Sequence, residues 1–98
     1  MQIFLLKNRT TNGSGDGVLT NFNQPDAEFS VWGTFDGATV QLECSPDGGT
    51  TWIAVDGVSL DSAGTIGDLV IPKKDTLRAT VSGGTSPNLS AAVRSTYE

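Results

Sequence analysis

Glu28-Phe29-Ser30-Val31-Trp32-Gly33-Thr34-Phe35-Asp36-Gly37-Ala38-Thr39-Val40-Gln41-Leu42-Glu43-Cys44 is the stretch whose reading decides the fold. Apolar and polar residues alternate along it with the period of two that marks a half-buried strand. Phe29, Val31, Gly33 and Phe35 share one face and Ser30, Trp32 and Thr34 the other. After Asp36-Gly37, Val40, Leu42 and Cys44 oppose Thr39, Gln41 and Glu43. Asp-Gly between alternating segments is the strongest short-range hairpin signal, so residues 28–35 and 38–44 are predicted to pair, with one face in a core and the other wet. The second arm runs on through Ser45-Pro46-Asp47-Gly48-Gly49-Thr50-Thr51-Trp52 into Ile53-Ala54-Val55, and a third strand ending at Asp56-Gly57 completes a meander. Trp32 is the anomaly, an indole on the polar face. The first expectation is that a second sheet or a long loop covers it; the other is that it anchors a partner.

The segment from Ser45 to Trp52 matches Ser-x-Asp-x-Gly-x-Thr-Trp at every defined position, through Ser45, Asp47, Gly49, Thr51 and Trp52. This is the Asp-box, and it resembles the turn repeated on the blades of sialidases and other propellers. Ser45 and Asp47 carry short oxygen acceptors for nearby backbone N–H groups, and the glycines tolerate the dihedrals of a tight turn. Trp52 is expected to fold beneath the turn into the core, its indole N–H finding a partner at the rim. A propeller needs about four blades of four strands; this chain has 98 residues and one copy of the motif. Only the turn carries over. The arginine cluster and Tyr nucleophile of a sialidase have no counterpart here.

Outward from this centre the alternation continues. Residues 2–7, with Ile3-Phe4-Leu5-Leu6, read as a strand, and 10–17 as a flexible polar loop leading to Val18-Leu19-Thr20. Residues 58–64 read as a polar connection, and 65–71 as a strand burying Ile66 and Val70. Pro72-Lys73-Lys74-Asp75 reads as a turn. Leu77, Ala79 and Val81 then face inward on one strand, and Leu89, Ala91, Val93 and Tyr97 on the last. About eight short strands with turns every ~8–12 residues predict an all-β, antiparallel, jelly-roll-like β-sandwich over residues 1–98 as a single domain.

Composition narrows the chemistry. Six cations against eleven acids give a net charge of −5 with no basic cluster, which argues against nucleic acid and an anionic membrane surface as partners. The opening apolar run has no preceding cation and stops at Lys7, so it is not read as a signal peptide. Cys44 is the one cysteine; it admits no internal disulfide, and its alternation with Val40 and Leu42 assigns it to the core. The chain contains no histidine, the commonest general base and metal ligand. Asp36 and Asp47 lie at opposite ends of one strand, more than ~20 Å apart and beyond cooperating distance. The Asp-x-Asp-x-Asp spacing of a calcium loop does not occur; Asn12, Ser14 and Asp16 among glycines are the nearest approach. Neither a metal nor another cofactor is expected.

The block from Val31 to Cys44, running into Ser45 to Trp52, resembles small bacteriophage virion proteins. In these a Gly-x-Phe-(Asp/Gly)-Gly-Ala-Thr-Val strand pair leads into a Ser-Pro-Asp-Gly-Gly-x-Thr-Trp turn. The likeness covers about a quarter of the chain. It implies a non-enzymatic virion protein, made in the bacterial host cytoplasm, that decorates or cements the capsid lattice, or else sits on a tail. Its partners would be the major capsid protein or another virion protein, and further copies of itself in a dimer or trimer. Residues 2–7 and 10–17 are the candidate contact surface, represented by Gln2, Phe4, Asn12 and Asp16, and Trp32 is a further candidate anchor. The alternative is a carbohydrate- or receptor-binding module on a tail appendage, which two tryptophans close together on one exposed face would favour.

Overall fold

The computed structural model describes residues 2–20, 26–71 and 75–95. Nine strands and no helix occupy them: β1 (Gln2–Arg9), β2 (Gly13–Ser14), β3 (Val18–Leu19), β4 (Asp26–Thr34), β5 (Thr39–Ser45), β6 (Ile53–Leu60), β7 (Gly64–Val70), β8 (Thr76–Ser82) and β9 (Asn88–Ser95). One sheet has the order β1-β9-β4-β7; the other runs β2-β8-β5-β6, with β3 also paired to β8. Gly13 and Ser14 face Val81 and Thr80, and Val18 and Leu19 face Leu77 and Thr76, so β2 and β3 are one interrupted strand along β8. Counted that way, eight strands are divided between two antiparallel sheets in the order of a jelly roll.

Most of the predicted inward residues form the observed core; Gly33, expected inward, is exposed at the end of β4. Phe29, Val31, Val40, Leu42, Leu77, Ala79, Val81, Leu89, Ala91 and Val93 are all buried, as are Leu5, Leu6 and Ala27. Their burial against the facing sheet is the main driving force of the fold, worth roughly 1.5–3 kcal/mol for each large aliphatic or aromatic side chain. Phe35 and Cys44 pack against this core, only partly buried.

The pairing differs from the hairpin reading. β4 lies between β9 and β7 in one sheet, whereas β5 lies between β8 and β6 in the other. Asp36-Gly37 is therefore a corner between sheets, and the meander reduces to the β5–β6 hairpin. The turn itself forms as expected. Asp36 and Gly37 both take positive φ (47° and 88°) and the Ala38 N–H donates to the Phe35 carbonyl at 2.9 Å, which is type I′-like geometry. Alternation specifies which face a residue takes and not which strand lies beside it, so two arms that bury facing rows satisfy a corner as well as a hairpin.

Bulges account for the other differences. β6 does not end at Asp56-Gly57: Ser59 faces Gln41 and Ala54 faces Glu43, so residues 55–58 arch out opposite Leu42 and the strand then resumes through Leu60. The Gln41 side chain fills the arch, its Nε2 donating to the carbonyls of Leu42, Val55 and Val58 at 2.8, 2.9 and 3.1 Å. In β7 a register shift between Ala27 and Phe29 of its partner accompanies a positive φ of 57° at Asp68. The shift reverses the phase, so Leu69 and Ile71 turn inward and Val70, expected in the core, is 70 % exposed. The 10–17 segment is pinned rather than free, since β2 pairs with β8 and the Gly15 N–H donates to the Ala79 carbonyl at 2.9 Å. Tyr97 and the turn at 72–74 lie outside the described residues.

Replacing Gln41 by Ala leaves the carbonyls of Val55 and Val58 without their donor and should cost about 1–3 kcal/mol in urea unfolding. Gln41→Glu, which keeps the shape but has no N–H to donate, should be no better than Gln41→Ala.

Candidate functional site

The register of β1, β9 and β4 assembles the exposed face of the first sheet row by row. Gln2, Arg94 and Glu28 form one row; Phe4, Ala92 and Ser30 form the next; Ser90 and Trp32 continue it, with Lys7 reaching over from β1. Period-two alternation turns Gln2, Phe4, Glu28, Ser30, Trp32, Ser90, Ala92 and Arg94 away from the core members Val93, Ala91, Phe29 and Val31 on these strands, although Ser90 and Ala92 are themselves buried, and the register shift after Phe4 brings Lys7 to the same side. Nothing in the described chain covers Trp32, which is 41 % exposed, contrary to the expectation of a covering sheet or loop. The opposing sheet packs on the other side of β4. Ala92 is small enough for the rings on either side of it to meet: Phe4 and Trp32 stand 5.8 Å apart at 76°, edge to face. The Lys7 ammonium lies 5.0 Å from the Phe4 ring. Arg94 is held by Glu28 at 2.6 Å, and Ser30 shares a hydrogen bond with Thr65 at 2.9 Å.

Along the β1 edge the 10–17 segment closes against the strand. A Cβ on Gly15 would stand 2.6 Å from the Leu5 carbonyl oxygen, so only glycine permits this approach. The result is a groove of about 260 Å3 lined by Phe4, Leu5, Leu6, Lys7, Asp16 and Val18. Of the sequence-stretch candidates, Phe4 and Asp16 thus share this groove, while Gln2 and Trp32 lie on the adjoining face. Asn12 stands apart, because its amide is occupied: Nδ2 donates to the Gly84 carbonyl and Oδ1 accepts from the Gly84 N–H, both at 3.0 Å.

The Asp-box residues do what the turn requires. The Gly49 N–H donates to Ser45 Oγ at 2.7 Å, and the Ser45 hydroxyl donates to Asp47 Oδ1 at 2.8 Å. The N–H groups of Thr50 and Thr51 converge on the same oxygen at 3.1 and 2.8 Å. These donors, the Thr51 N–H foremost, hold the exposed Asp47 carboxyl at a pKa of about 2. Trp52 Nε1 donates to the Gly49 carbonyl at 3.1 Å. The ring itself is half-buried outside the core, because Ile53, and not Trp52, is in register with inward-facing Cys44. It lies beneath the Arg78 guanidinium, 4.2 Å away, on the outer face of the second sheet. Arg78 and Thr80 both donate to Glu43 Oε1 at 2.6 Å, and Thr80 also bonds Ser14. Burial raises the Glu43 pKa, but the bonds from Thr80 and Arg78 outweigh it, so the net shift is downward. The two tryptophans therefore occupy opposite faces of the sandwich.

Burial and the neighbouring Asp75 carboxylate raise the Cys44 pKa, which lowers its thiolate fraction at neutral pH. Burial also raises the Asp75 pKa. Among the described residues no three His, Cys, Asp or Glu side chains converge as a metal site requires, and no helix is long and apolar enough to cross a membrane. The proximity of Phe4 to Trp32 was missing from the sequence reading; the signal available for it was an outward Phe on a terminal strand together with an outward Trp.

Asp47→Ala should lower Tm by a few degrees at neutral pH, with Asp47→Asn in between because one acceptor oxygen remains. A depressed carboxylate stabilises the fold above its unfolded pKa and loses that contribution as pH falls through the folded one. The Tm gap between wild type and Asp47→Ala should therefore be full above pH ~4 and close as pH falls toward ~2. No family model matches this chain, and no curated protein or solved structure matches it either.

Proposed function

We propose that this chain is a non-enzymatic structural protein of a phage virion that decorates or cements the capsid lattice, meeting it along β1 and residues 10–17. One observation carries the choice of surface: Gly15 packs against Leu5, making the two candidate segments a single continuous groove with a cation, Lys7, and an acid, Asp16, in its walls. The non-enzymatic reading draws support from the chain's lack of histidine and from the raised thiol of Cys44. The virion reading draws support from the sequence resemblance and from the jelly-roll strand order, an architecture used by viral capsid and lectin domains. Fold alone does not assign function.

The lectin-like alternative, a carbohydrate- or receptor-binding module on a tail appendage, is favoured by the exposure of Trp32 and the hydroxyls of Ser30 and Thr65 nearby. It is weakened by the edge-to-face angle of Trp32 and Phe4, which offers no flat shared platform, and by Trp52, which lies under Arg78 on the opposite side.

Purified protein should co-sediment with mature empty capsids and ignore host polysaccharide. Reversing both groove charges, Lys7→Glu with Asp16→Lys, should weaken capsid binding about tenfold with Tm unchanged. Binding on a glycan array with no affinity for capsids would sink the decoration reading in favour of the alternative.

A further inference from the structure

Asn12-Gly13 is the one place in the chain where glycine follows asparagine. At such a step no side chain on the second residue hinders its backbone nitrogen, which is free to attack the asparagine Cγ. The fold holds the two reacting groups apart. The Asn12 side chain is drawn to Gly84, with Nδ2 donating to the carbonyl and Oδ1 accepting from the N–H, both at 3.0 Å. Gly13 lies opposite Val81, and because the Gly15 N–H donates to the Ala79 carbonyl two residues along the same antiparallel ladder, the Gly13 N–H faces the Val81 carbonyl. These restraints are short in extent. β2 has two residues at the edge of its sheet, and its side-chain tie to β8 is the 2.9 Å bond between the Ser14 and Thr80 hydroxyls. Such a segment detaches at a lower free energy than the whole fold. Arg9 is held differently. Its Nε donates to the Thr11 carbonyl at 3.1 Å and its Nη2 to the Asn12 carbonyl at 3.3 Å, contacts that do not depend on β8. A guanidinium on that carbonyl stabilises the negative charge that the Asn12–Gly13 peptide acquires on losing its N–H proton, the form in which its nitrogen attacks.

We propose that Asn12 is a deamidation site, opened by local detachment of β2 from β8 and assisted by Arg9. The Gly13 nitrogen bonds to Asn12 Cγ, the Cγ–Nδ2 bond breaks, and ammonia leaves with the proton that the Gly13 nitrogen gave up. Water then adds to either carbonyl of the resulting succinimide and leaves aspartate or isoaspartate at position 12. Either product lacks the Nδ2 donor and sets a carboxylate against the Gly84 carbonyl, so the grip on the β8–β9 connection is lost. The conversion also adds a negative charge to a chain whose net charge is −5. It does not depend on the capsid reading, because it is a property of the free protein.

The test is peptide mapping by mass spectrometry on the full chain aged in mildly alkaline buffer, with the aspartate and isoaspartate products separated. Deamidation at Asn12 in the folded chain should run at least about tenfold slower than in denaturing urea, yet at least about tenfold faster than the globally unfolded fraction alone would give. Urea added below the unfolding transition should raise the rate with a slope less than about half the equilibrium m-value. Ser14→Ala should speed the folded chain roughly threefold to tenfold by weakening the hold on β8. Arg9→Gln should slow it about threefold or more when folded and leave the rate in denaturing urea unchanged. Asn12→Asp, which supplies one product directly, should lower Tm by a few degrees. A folded rate equal to that in denaturing urea, or a rate and urea slope matching global unfolding, would overturn the local gate. Unchanged or faster deamidation in Arg9→Gln would overturn the part given to Arg9, and a wild-type Tm in Asn12→Asp would overturn the loss of grip.

Discussion

A chain that changes sheet at nearly every connection has to satisfy backbone groups at its corners, and here that constraint falls on the Asp36 and Asn12 side chains. The Asp36 carbonyl accepts from the Thr85 N–H at 3.1 Å and its carboxylate from the Ser86 N–H at 2.9 Å. The β4–β5 corner is thereby tied to the β8–β9 corner. Asn12, on the β1–β2 crossing, grips Gly84 of that same β8–β9 connection from the other side. Three sheet-to-sheet crossings are locked at one end, and Phe29 and Val31 of one sheet share a core with Val40 and Leu42 of the other. Hydrogen bonding at the rim and burial in the middle impose the same arrangement, the agreement between levels that marks a foldable sequence.

How much of this was legible follows from what each signal encodes. Alternation identified the inward rows of β4, β5, β8 and β9, because a period of two maps directly onto the two faces of a strand. It was silent on neighbours, so Asp36-Gly37 read as a hairpin although the strand beside β5 is β8, more than thirty residues away. Phase errors arose at bulges. One extra residue near Asp68 exchanged the roles of Leu69 and Val70, and nothing in the local pattern of 64–71 announces it. For the candidate site, Asp47 and its donors were legible because they lie within six residues. The meeting of Phe4 and Trp32 was not, because it requires β9 to lie between β1 and β4 and Ala92 to lie between the rings.

The same bulges shape what the sandwich offers to a partner. β1 carries two register shifts and a positive φ at Asn8; β7 carries one, with Asp68; β6 arches over residues 55–58; and β2 and β3 are broken into pieces of two residues. All four edges are thus unsuited to continuous pairing with a strand from another chain, the usual protection against edge-to-edge aggregation. A partner that met β1 would meet side chains and a groove rather than a free ladder of N–H and C=O groups. Strand addition at these edges is disfavoured.

The polar groups that first drew attention are mostly committed within the fold. Asp47 serves three donors, Glu43 serves Arg78 and Thr80, Gln41 serves the β6 arch, and Trp52 is capped by Arg78. A group engaged in this way is held in one protonation state and one geometry. The large apolar surface left over, Trp32 with Phe4 on one face and the cavity beside Val70 on another, carries no such commitments. Desolvating an aromatic anchor and filling an apolar hollow are what association rewards most. The division of labour between committed polar groups and uncommitted apolar ones is the physical argument behind the proposed binding role.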